Sequence, residues 1–342
     1  MTAILHRPSR TALRRLAGVL RRGGLVAVPT ETVYGLAANA LDTQACERIF
    51  AAKDRPAEDP LIVHVASVTA AATVAELNPA ARELARAFWP GPLTMVLPKK
   101  RVVPAIVTAG LDSVAVRVPR HPVFRDLLRE CGLPLAAPSA NPFGYVSPTR
   151  PEHVQRGLGD RIEHILDGGP CEVGLESTIV DLRNPARPCV LRPGAISAEA
   201  IAQVLGVAVT ARRARVLPGA RRSGKKTGKA QRAPGLLARH YSPGTRLRLV
   251  ARIEPAEVLA AGRRVAYLFL SRPKDPRLAA LGNRVAWLSE SGDPAEAGRN
   301  VYSRLRTLDE GGYREIIAER VPGESAFAAL ADRLGRAAAR GR

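Results

Sequence analysis

Short apolar segments alternate with amphipathic helical patterns along most of this chain of 342 residues, and this alternation limits the fold more than any other feature. Apolar runs of strand length are separated by stretches in which apolar residues recur at helical spacing. Up to residue 206 this pattern predicts an α/β domain with a mixed, twisted sheet and flanking helices. We predict its strands at 25–29, 61–65, 93–97, 113–118, 133–137, 178–182 and 189–191.

The alternation restarts near residue 247. We predict strands at 247–250, 265–270, 285–288 and 315–318, and helices at 255–261, 294–308 and 325–339. Strands that alternate with helices in this way favour a small doubly wound α/β domain. No Gly-x-Gly-x-x-Gly motif follows these strands, so we assign this second domain no nucleotide of its own.

A basic segment separates the two alternating regions. Between Thr210 and Pro234 the sequence has nine basic residues and no acidic one, together with Pro218 and three glycines. Such a composition is typical of an extended linker whose charges repel each other. We therefore predict domains at 9–206 and 245–342, joined by a linker at 207–244.

Composition excludes several classes of protein. No apolar run is long enough to cross a bilayer, so we expect no membrane partner. The four cysteines are far apart and have no histidine at ligand spacing, which argues against a metal site or a disulfide framework and favours reduced thiols in the cytoplasm. The formal charge of +21 is compatible with a polyanionic partner such as RNA, although a basic linker also needs no partner at all.

Polar residues that suit a ligand site follow several predicted elements. Thr32 comes after the first strand, Lys53 and Arg55 come after the next helix, and Ser139 and Asn141 come after a later strand. Open α/β folds bind ligands at such ends. There is no P-loop, so a nucleotide would have to be held by side-chain cations. Taken alone, Lys53 and Arg55 could equally be a solvated helix end that is favoured by the helix dipole.

These segments together resemble the threonylcarbamoyl-adenylate synthase family, whose catalytic core is a YrdC-like domain. The matching segments are Pro29-Thr30-Glu31-Thr32-Val33-Tyr34-Gly35-Leu36, Lys53-Asp54-Arg55-Pro56, Pro138-Ser139-Ala140-Asn141 and Ser177-Thr178-Ile179-Val180-Asp181. The resemblance covers residues from about 11 to about 205. The linker ending in His240-Tyr241-Ser242-Pro243 and the residues beyond it resemble the long, two-domain form of the family.

The resemblance implies an enzyme that makes threonylcarbamoyl-AMP and pyrophosphate from L-threonine, bicarbonate or carbon dioxide, and ATP. It implies Mg²⁺ as the companion of ATP, with no metal site formed by the protein itself. The product would serve the threonylcarbamoyladenosine modification of tRNA through downstream threonylcarbamoyl-transfer proteins, and a weak contact with tRNA is an open question. The linker at 207–244 is expected to close over the active site as a lid.

The resemblance also implies roles for individual residues. The catalytic residues are Lys53 and Arg55. The threonine-binding residues are Thr32, His64, Arg117, Ala137 and Ser177. The ATP-binding residues are Arg55, Asp59, Ser113, Ser139, Asn141, Ser147, Arg192 and Tyr241.

Some alternatives stay open at the level of sequence. His64 lies among apolar residues and could be a core histidine, and Arg117 could be an exposed residue at a strand end. Asp59 departs from the Asn that many relatives carry, and a carboxylate near phosphates is repulsive unless it meets the ribose, an amide or magnesium. The alternative function is a non-catalytic RNA-binding module. A carbamoyltransferase of hydrogenase maturation would carry zinc-finger cysteines that this chain lacks.

Overall fold

The structure is a computed structural model that describes residues 2–211, 231, 233–235, 240–323 and 325–339. The predicted basic stretch from 212 to 230 lies outside these residues. Among the described helices, none combines the length and apolar character needed to span a bilayer. All four cysteines carry free thiols.

One large mixed sheet forms the first part of the chain. Its strands occur in the order β1-β8-β2-β3-β7-β4-β6-β5-β9-β10-β11. The strands are β1 (Ile4–His6), β2 (Val26–Val28), β3 (Gly35–Asn39), β4 (Ile62–His64), β5 (Leu93–Pro98), β6 (Ser113–Arg117), β7 (Leu135–Ala136), β8 (His164–Leu166), β9 (Thr178–Asp181), β10 (Cys189–Arg192) and β11 (Thr210–Ala211). Parallel pairs such as β4 with β6 and antiparallel pairs such as β5 with β6 confirm the predicted mixed sheet.

Helices cover both faces of this sheet. They are α1 (Arg10–Arg21), α2 (Thr43–Lys53), α3 (Val68–Val74), α4 (Pro79–Phe88), α5 (Pro122–Cys131), α6 (Pro151–Leu158) and α7 (Ala198–Leu205). Their starts follow from the sequence: the side chains of Ser9, Asp42 and Asn78 each accept a hydrogen bond from a backbone amide in the first turn. One core cluster contains α2, α4 and the centre of the sheet, and another packs α1 against α5.

The second sheet has four parallel strands in the order β12-β15-β13-β14. Its elements are β12 (Arg246–Val250), α8 (Pro255–Ala260), β13 (Val265–Ser271), α9 (Pro276–Ala279), β14 (Val285–Ser289), α10 (Pro294–Asp309), β15 (Glu315–Glu319) and α11 (Ala328–Ala337). Along β13, Ala266 and Leu268 join the cluster under α10 and α11, whereas Tyr267 and Phe269 join the cluster under α8. Helices on both faces confirm the doubly wound arrangement.

The two parts of the chain share one apolar cluster. Val33, Val146 and Leu175 of the first part belong to the same buried cluster as Val301 and Leu305 of α10. Burial of apolar surface makes the main favourable contribution to the free energy of association between domains. The interface brings α10 and α11 next to the loops that follow the strands of the large sheet.

Candidate active site

A cleft lies among the strand ends of the large sheet and the last part of the linker. Nine of the residues predicted for the site line it: Thr32, Arg55, His64, Arg117, Ala137, Ser139, Ser177, Arg192 and Tyr241. The remaining predicted residues, Lys53, Asp59, Ser113, Asn141 and Ser147, are buried but lie outside the cleft wall. The fold therefore gathers most of the predicted residues in one place.

The loop after β2 is fixed by its own hydrogen bonds. The Thr30 hydroxyl donates to the Val33 carbonyl at 2.6 Å and accepts from the backbone amides of Thr32 and Val33, both at 3.1 Å. A threonine that bonds its neighbouring backbone in this way makes a rigid turn. This turn sets the positions of Glu31 and Thr32.

Arg117, the last residue of β6, contacts both of these side chains. Its guanidinium forms an ion pair with Glu31 at 2.7 Å and donates to the Thr32 hydroxyl at 2.9 Å, and its Nε donates to the Gly91 carbonyl at 3.1 Å. Burial alone would raise the pKa of Glu31, but Arg117 outweighs it and lowers that pKa. Arg117 is therefore a buried, charged residue, and the alternative of an exposed strand-end arginine is wrong.

His64, at the end of β4, lies next to this cluster. It is buried, and its ring centroid is 5.6 Å from that of Phe124. Burial and the charge of Arg117 lower the pKa of His64 to about 3, so the imidazole is neutral at physiological pH. A neutral histidine can orient a ligand without adding positive charge.

Arg55 lies just beyond the end of α2, where Asp54 turns the chain with a left-handed φ of 53°. Its Nη2 lies 3.0 Å from the Asp59 carboxylate and donates to the Pro60 carbonyl at 2.7 Å. Burial raises the pKa of Asp59, and Arg55 lowers it in part. The carboxylate at position 59 is thus paired with an arginine, a partner that the sequence did not suggest.

Lys53 occupies a different environment. Its ammonium group donates to the Ser139 carbonyl at 2.5 Å and also to the Asn141 carbonyl. The Asn141 amide in turn donates to the carbonyls of Pro142 and Tyr145. Burial and the neighbouring Arg55 lower the pKa of Lys53. In this arrangement Lys53 shapes the Ser139–Asn141 loop, and its direct role on a phosphate stays a prediction.

Arg192 and Ser177 form another polar part of the cleft. Arg192 donates twice to the Ser177 carbonyl, at 3.1 Å and 3.0 Å, and once to the Ser177 hydroxyl, at 3.1 Å. That hydroxyl also lies 2.7 Å from the hydroxyl of Thr94. Among the described residues Arg192 has no ion pair with a carboxylate, which distinguishes it from Arg55 and Arg117.

The end of the linker covers the cleft. Pro234, Gly235, His240 and Tyr241 all line it. Gly235 has a φ of 76°, and a Cβ there would lie only 2.5 Å from the Tyr241 hydroxyl, so a larger residue would not fit. The ring centroids of His240 and Tyr241 are 4.1 Å apart. Of the described linker residues, these four are therefore at the site in this structure.

Several residues that line or support the cleft received no individual role from the sequence, although three of them lie in segments that carry the family resemblance. These residues are Thr30, Glu31, Glu176, His240, Tyr302 and Arg333. One signal was available: Arg333 interrupts the apolar face of α11 between Leu330 and Leu334. A charged residue on an apolar face requires a buried partner.

Comparisons with known proteins agree with this architecture. Residues 18–194 match a family described as "Telomere recombination", and residues 196–339 match the family "Threonylcarbamoyl-AMP synthase, C-terminal domain". The chain is 40% identical to the threonylcarbamoyl-AMP synthase of Pyrococcus abyssi (strain GE5 / Orsay), over 95% of this chain and 93% of that protein. It is 38% identical to the Bacillus subtilis (strain 168) protein of the same name, over 95% and 92%.

A solved structure is similar along its whole length. The crystal structure of P. abyssi Sua5 complexed with L-threonine aligns with a TM-score of 0.85 and 38% sequence identity, and the alignment covers 99% of this chain and 98% of that one. Both the large sheet and the second domain are therefore shared with that structure. The chain belongs to the threonylcarbamoyl-AMP synthase family, in its two-domain form.

Proposed function

We propose that this protein is a nucleotidyltransferase that converts L-threonine, bicarbonate or carbon dioxide, and ATP to threonylcarbamoyl-AMP and pyrophosphate. The observation that carries the proposal is the convergence of Arg55, Arg117 and Arg192 on one cleft. All three are buried, and cations removed from water attract anions more strongly than exposed cations do. A carboxylate, a carbonate and a triphosphate are anionic groups that such an array suits, and arginine can bind each through two hydrogen bonds.

We assign the threonine end of the cleft to Thr32, His64, Arg117, Ala137 and Ser177. The assignment is supported by the polar cluster around Arg117 and by the relative from P. abyssi, whose structure is complexed with L-threonine. We assign the nucleotide end to Arg55, Ser139, Arg192 and Tyr241, with Asp59, Ser113, Asn141 and Ser147 behind or beside them. The two substrates would then meet within a single cleft.

The reaction needs no covalent enzyme intermediate. The threonine amino group and bicarbonate give a carbamate with loss of water, and a carbamate oxygen then attacks the α-phosphorus of ATP. The bond from that phosphorus to the bridging oxygen breaks, and its electron pair leaves with pyrophosphate. Arg55 and Arg192 would stabilise the charge that develops on the phosphate oxygens. Catalysis would then come mainly from positioning and electrostatics.

Magnesium would enter as part of the substrate. The described residues contain no group of three potential metal ligands. Glu176, which lines the cleft, and Glu31 and Asp59 beside it are each paired with an arginine. Magnesium accepts phosphate oxygens and water as its main ligands. We therefore propose that Mg²⁺ is held by ATP and water.

The product would be passed on to a protein that transfers the threonylcarbamoyl group to tRNA. This proposal rests on the family and on the chemistry, because a mixed carbamic–phosphoric anhydride is an activated acyl donor. The formal charge of +21 supports a weak contact with tRNA through phosphates. Such contacts carry no sequence information.

The experiment that tests the function measures product directly. The protein is incubated with ATP, magnesium, bicarbonate and labelled threonine, and the labelled adenylate and pyrophosphate are quantified, with bicarbonate or threonine omitted as controls. We expect one pyrophosphate for each adenylate, and none without threonine. A protein that binds RNA but forms no adenylate, and whose melting temperature does not respond to ATP or threonine, would instead be an RNA-binding module.

A further inference from the structure

Glu176 is a buried carboxylate of the catalytic domain whose main partners belong to the second domain. Its Oε2 accepts hydrogen bonds from the Tyr302 hydroxyl at 2.8 Å and from Arg333 Nε at 2.7 Å. Its Oε1 accepts from the Ser147 hydroxyl at 2.6 Å. Glu176 lines the cleft and is 5% exposed. The two domains therefore meet at a charged group of the active site.

Arg333 is fixed from several sides. Besides Glu176, it donates to the Pro193 carbonyl at 2.9 Å and to the Asp332 carboxylate at 2.6 Å. Its guanidinium lies 5.1 Å from the centre of the Tyr241 ring. It is 1% exposed, and a charge buried so completely is tolerated only when it is paired and hydrogen-bonded. One side chain of the second domain thus contacts the catalytic domain and the end of the linker.

The distribution of charge in the cleft gives this contact a function. Arg55 is paired with Asp59, and Arg117 is paired with Glu31. Arg192 has only oxygens of Ser177 and the Pro234 carbonyl as hydrogen-bond partners among the described residues. The charges of Glu176 and Asp59 both interact with Arg192, and Asp59 is already ion-paired with Arg55. After Arg333, Arg192 is the cation whose charge contributes most to lowering the pKa of Glu176, so without Arg333 the carboxylate would attract Arg192.

We propose that Arg333 is a positioning residue for the nucleotide: by pairing with Glu176 it leaves Arg192 available to the ATP phosphates and holds Ser147 and Tyr241 in place. This inference rests on the proposed function. The second domain would thus contribute a charge, that of Arg333, to the electrostatic environment of the active site. Without Arg333, an unpaired carboxylate would face the triphosphate and compete with it for Arg192.

The test uses four variants of the full-length protein: Arg333→Met, Arg333→Lys, Glu176→Gln, and the double variant Arg333→Met with Glu176→Gln. We expect Arg333→Met to raise KM for Mg·ATP at least tenfold with KM for threonine unchanged. The double variant should recover most of the lost affinity, since a glutamine carries no charge, and its amide can accept from one of the Ser147 and Tyr302 hydroxyls and donate to the other. Arg333→Lys should keep an intermediate affinity, because it keeps the charge but not the planar fork.

The matched control is Arg156→Met. Arg156 forms an exposed ion pair between the domains, with Glu310 at 2.7 Å, and it does not touch Glu176. General loosening of the interface would affect this variant as well. The inference is overturned if the control reproduces the loss, if KM for threonine rises equally, or if Glu176→Gln fails to rescue Arg333→Met.

Calorimetric titration with a non-hydrolysable ATP analogue and magnesium separates this inference from the proposed function. A wild-type protein that forms no adenylate would contradict the function, yet the binding titrations would still test the role of Arg333. If Arg333→Met does not fold, the affinities of Arg333→Lys and of the double variant for the analogue test the inference instead. An intermediate affinity in Arg333→Lys together with a near-normal affinity in the double variant would support the inference, because lysine keeps the Glu176 carboxylate paired and glutamine removes its charge. Weak affinity in a folded double variant would refute it.

Discussion

The two ends of the cleft are built in different ways. The end assigned to threonine comes entirely from the catalytic domain, and a loop locked by Thr30 holds Glu31 and Thr32 against Arg117. The other end needs the linker residue Tyr241 and the second-domain residue Arg333. The first end is preformed and the second is assembled from distant parts of the chain. Threonine binding should therefore tolerate disturbance of the second domain better than ATP binding does.

We expect the largest effect from changing a residue that acts on the reaction between the two substrates. Arg55→Ala should reduce turnover ~10²-fold or more, because it removes a buried cation proposed to stabilise developing phosphate charge. Pyrophosphate release under saturating substrates measures this. Arg161→Ala is the control, since Arg161 is more exposed and is paired with Asp54 beside the same helix end. Near-normal turnover in folded Arg55→Ala would remove Arg55 from the phosphate site.

Arg117→Lys should weaken binding at the threonine end of the cleft only. A lysine cannot contact Glu31, Thr32 and a substrate carboxylate at once, and the loss of a charged hydrogen bond typically costs ~1.5–3 kcal/mol. We therefore expect threonine affinity to fall about ten- to a hundredfold with ATP affinity nearly unchanged.

Separate calorimetric titrations with threonine and with an ATP analogue distinguish the two ends. Arg120→Lys serves as the control, because Arg120 lies three residues away and forms a largely exposed ion pair with Glu172. If Arg117→Lys weakened both ligands equally, Arg117 would not belong to one end of the cleft.

The same contrast explains which parts of the site could be read from the sequence. Arg117 is the last residue of β6, and Thr32 and Ser139 lie a few residues after β2 and β7, so each motif falls near a strand end, and all three residues line the cleft. Glu176 and Arg333 are 157 residues apart. Their pairing depends on how two domains dock, and no local pattern encodes that. The roles assigned to individual residues stay predictions.

The fold was predictable where strands are rich in branched apolar residues. The predicted strand at 113–118 corresponds to β6, and the predicted helix at 294–308 corresponds to α10. The strand β3 was missed because its sequence, Gly-Leu-Ala-Ala-Asn, has no β-branched residue. The strands β1 and β8 have three residues each, which is too short to show a period. They pair with each other, and β8 also pairs with β2.

Tyr241→Ala should weaken the assembled end by a smaller amount. Its ring stacks on Tyr302 with centroids 5.8 Å apart, and such contacts are typically worth about 0.5–1.5 kcal/mol. We expect the yield of adenylate to fall about two- to tenfold, and bound adenylate to be lost faster. Threonine affinity should not change. Neutralising the basic residues between 212 and 229 is the control and should leave the yield of adenylate unchanged. If it lowered the yield as much as Tyr241→Ala does, the charge of the linker, and not the aromatic ring of Tyr241, would be needed to retain the adenylate.

Acidification should act on the assembled end and spare the preformed one. His64 and His240 are both buried, and burial lowers the pKa of each to about 3, with Arg117 contributing for His64. Around His240, Glu176 raises the pKa, and Arg55, Lys53 and Arg192 lower it. Because the closed site disfavours the protonated imidazole, protons bind preferentially to any state in which the linker has moved away and His240 regains its usual pKa of 6.5. Lower pH therefore favours opening.

Between pH 7.5 and pH 6.0 we expect the affinity for an ATP analogue to fall about fourfold. This factor is the increase in proton binding to the open state, where the pKa of His240 is 6.5, over the closed state, where it is about 3. Glu176 does not titrate in this range: burial would raise its pKa, but Arg333 and Arg192 lower it to about 2. Titrations at constant free magnesium measure the effect. His240→Asn should remove it, and threonine affinity should stay level because His64 is enclosed within one domain. A fourfold loss that persists in His240→Asn would mean that another group binds the proton, and an equal loss for threonine would mean that the two ends of the cleft do not differ.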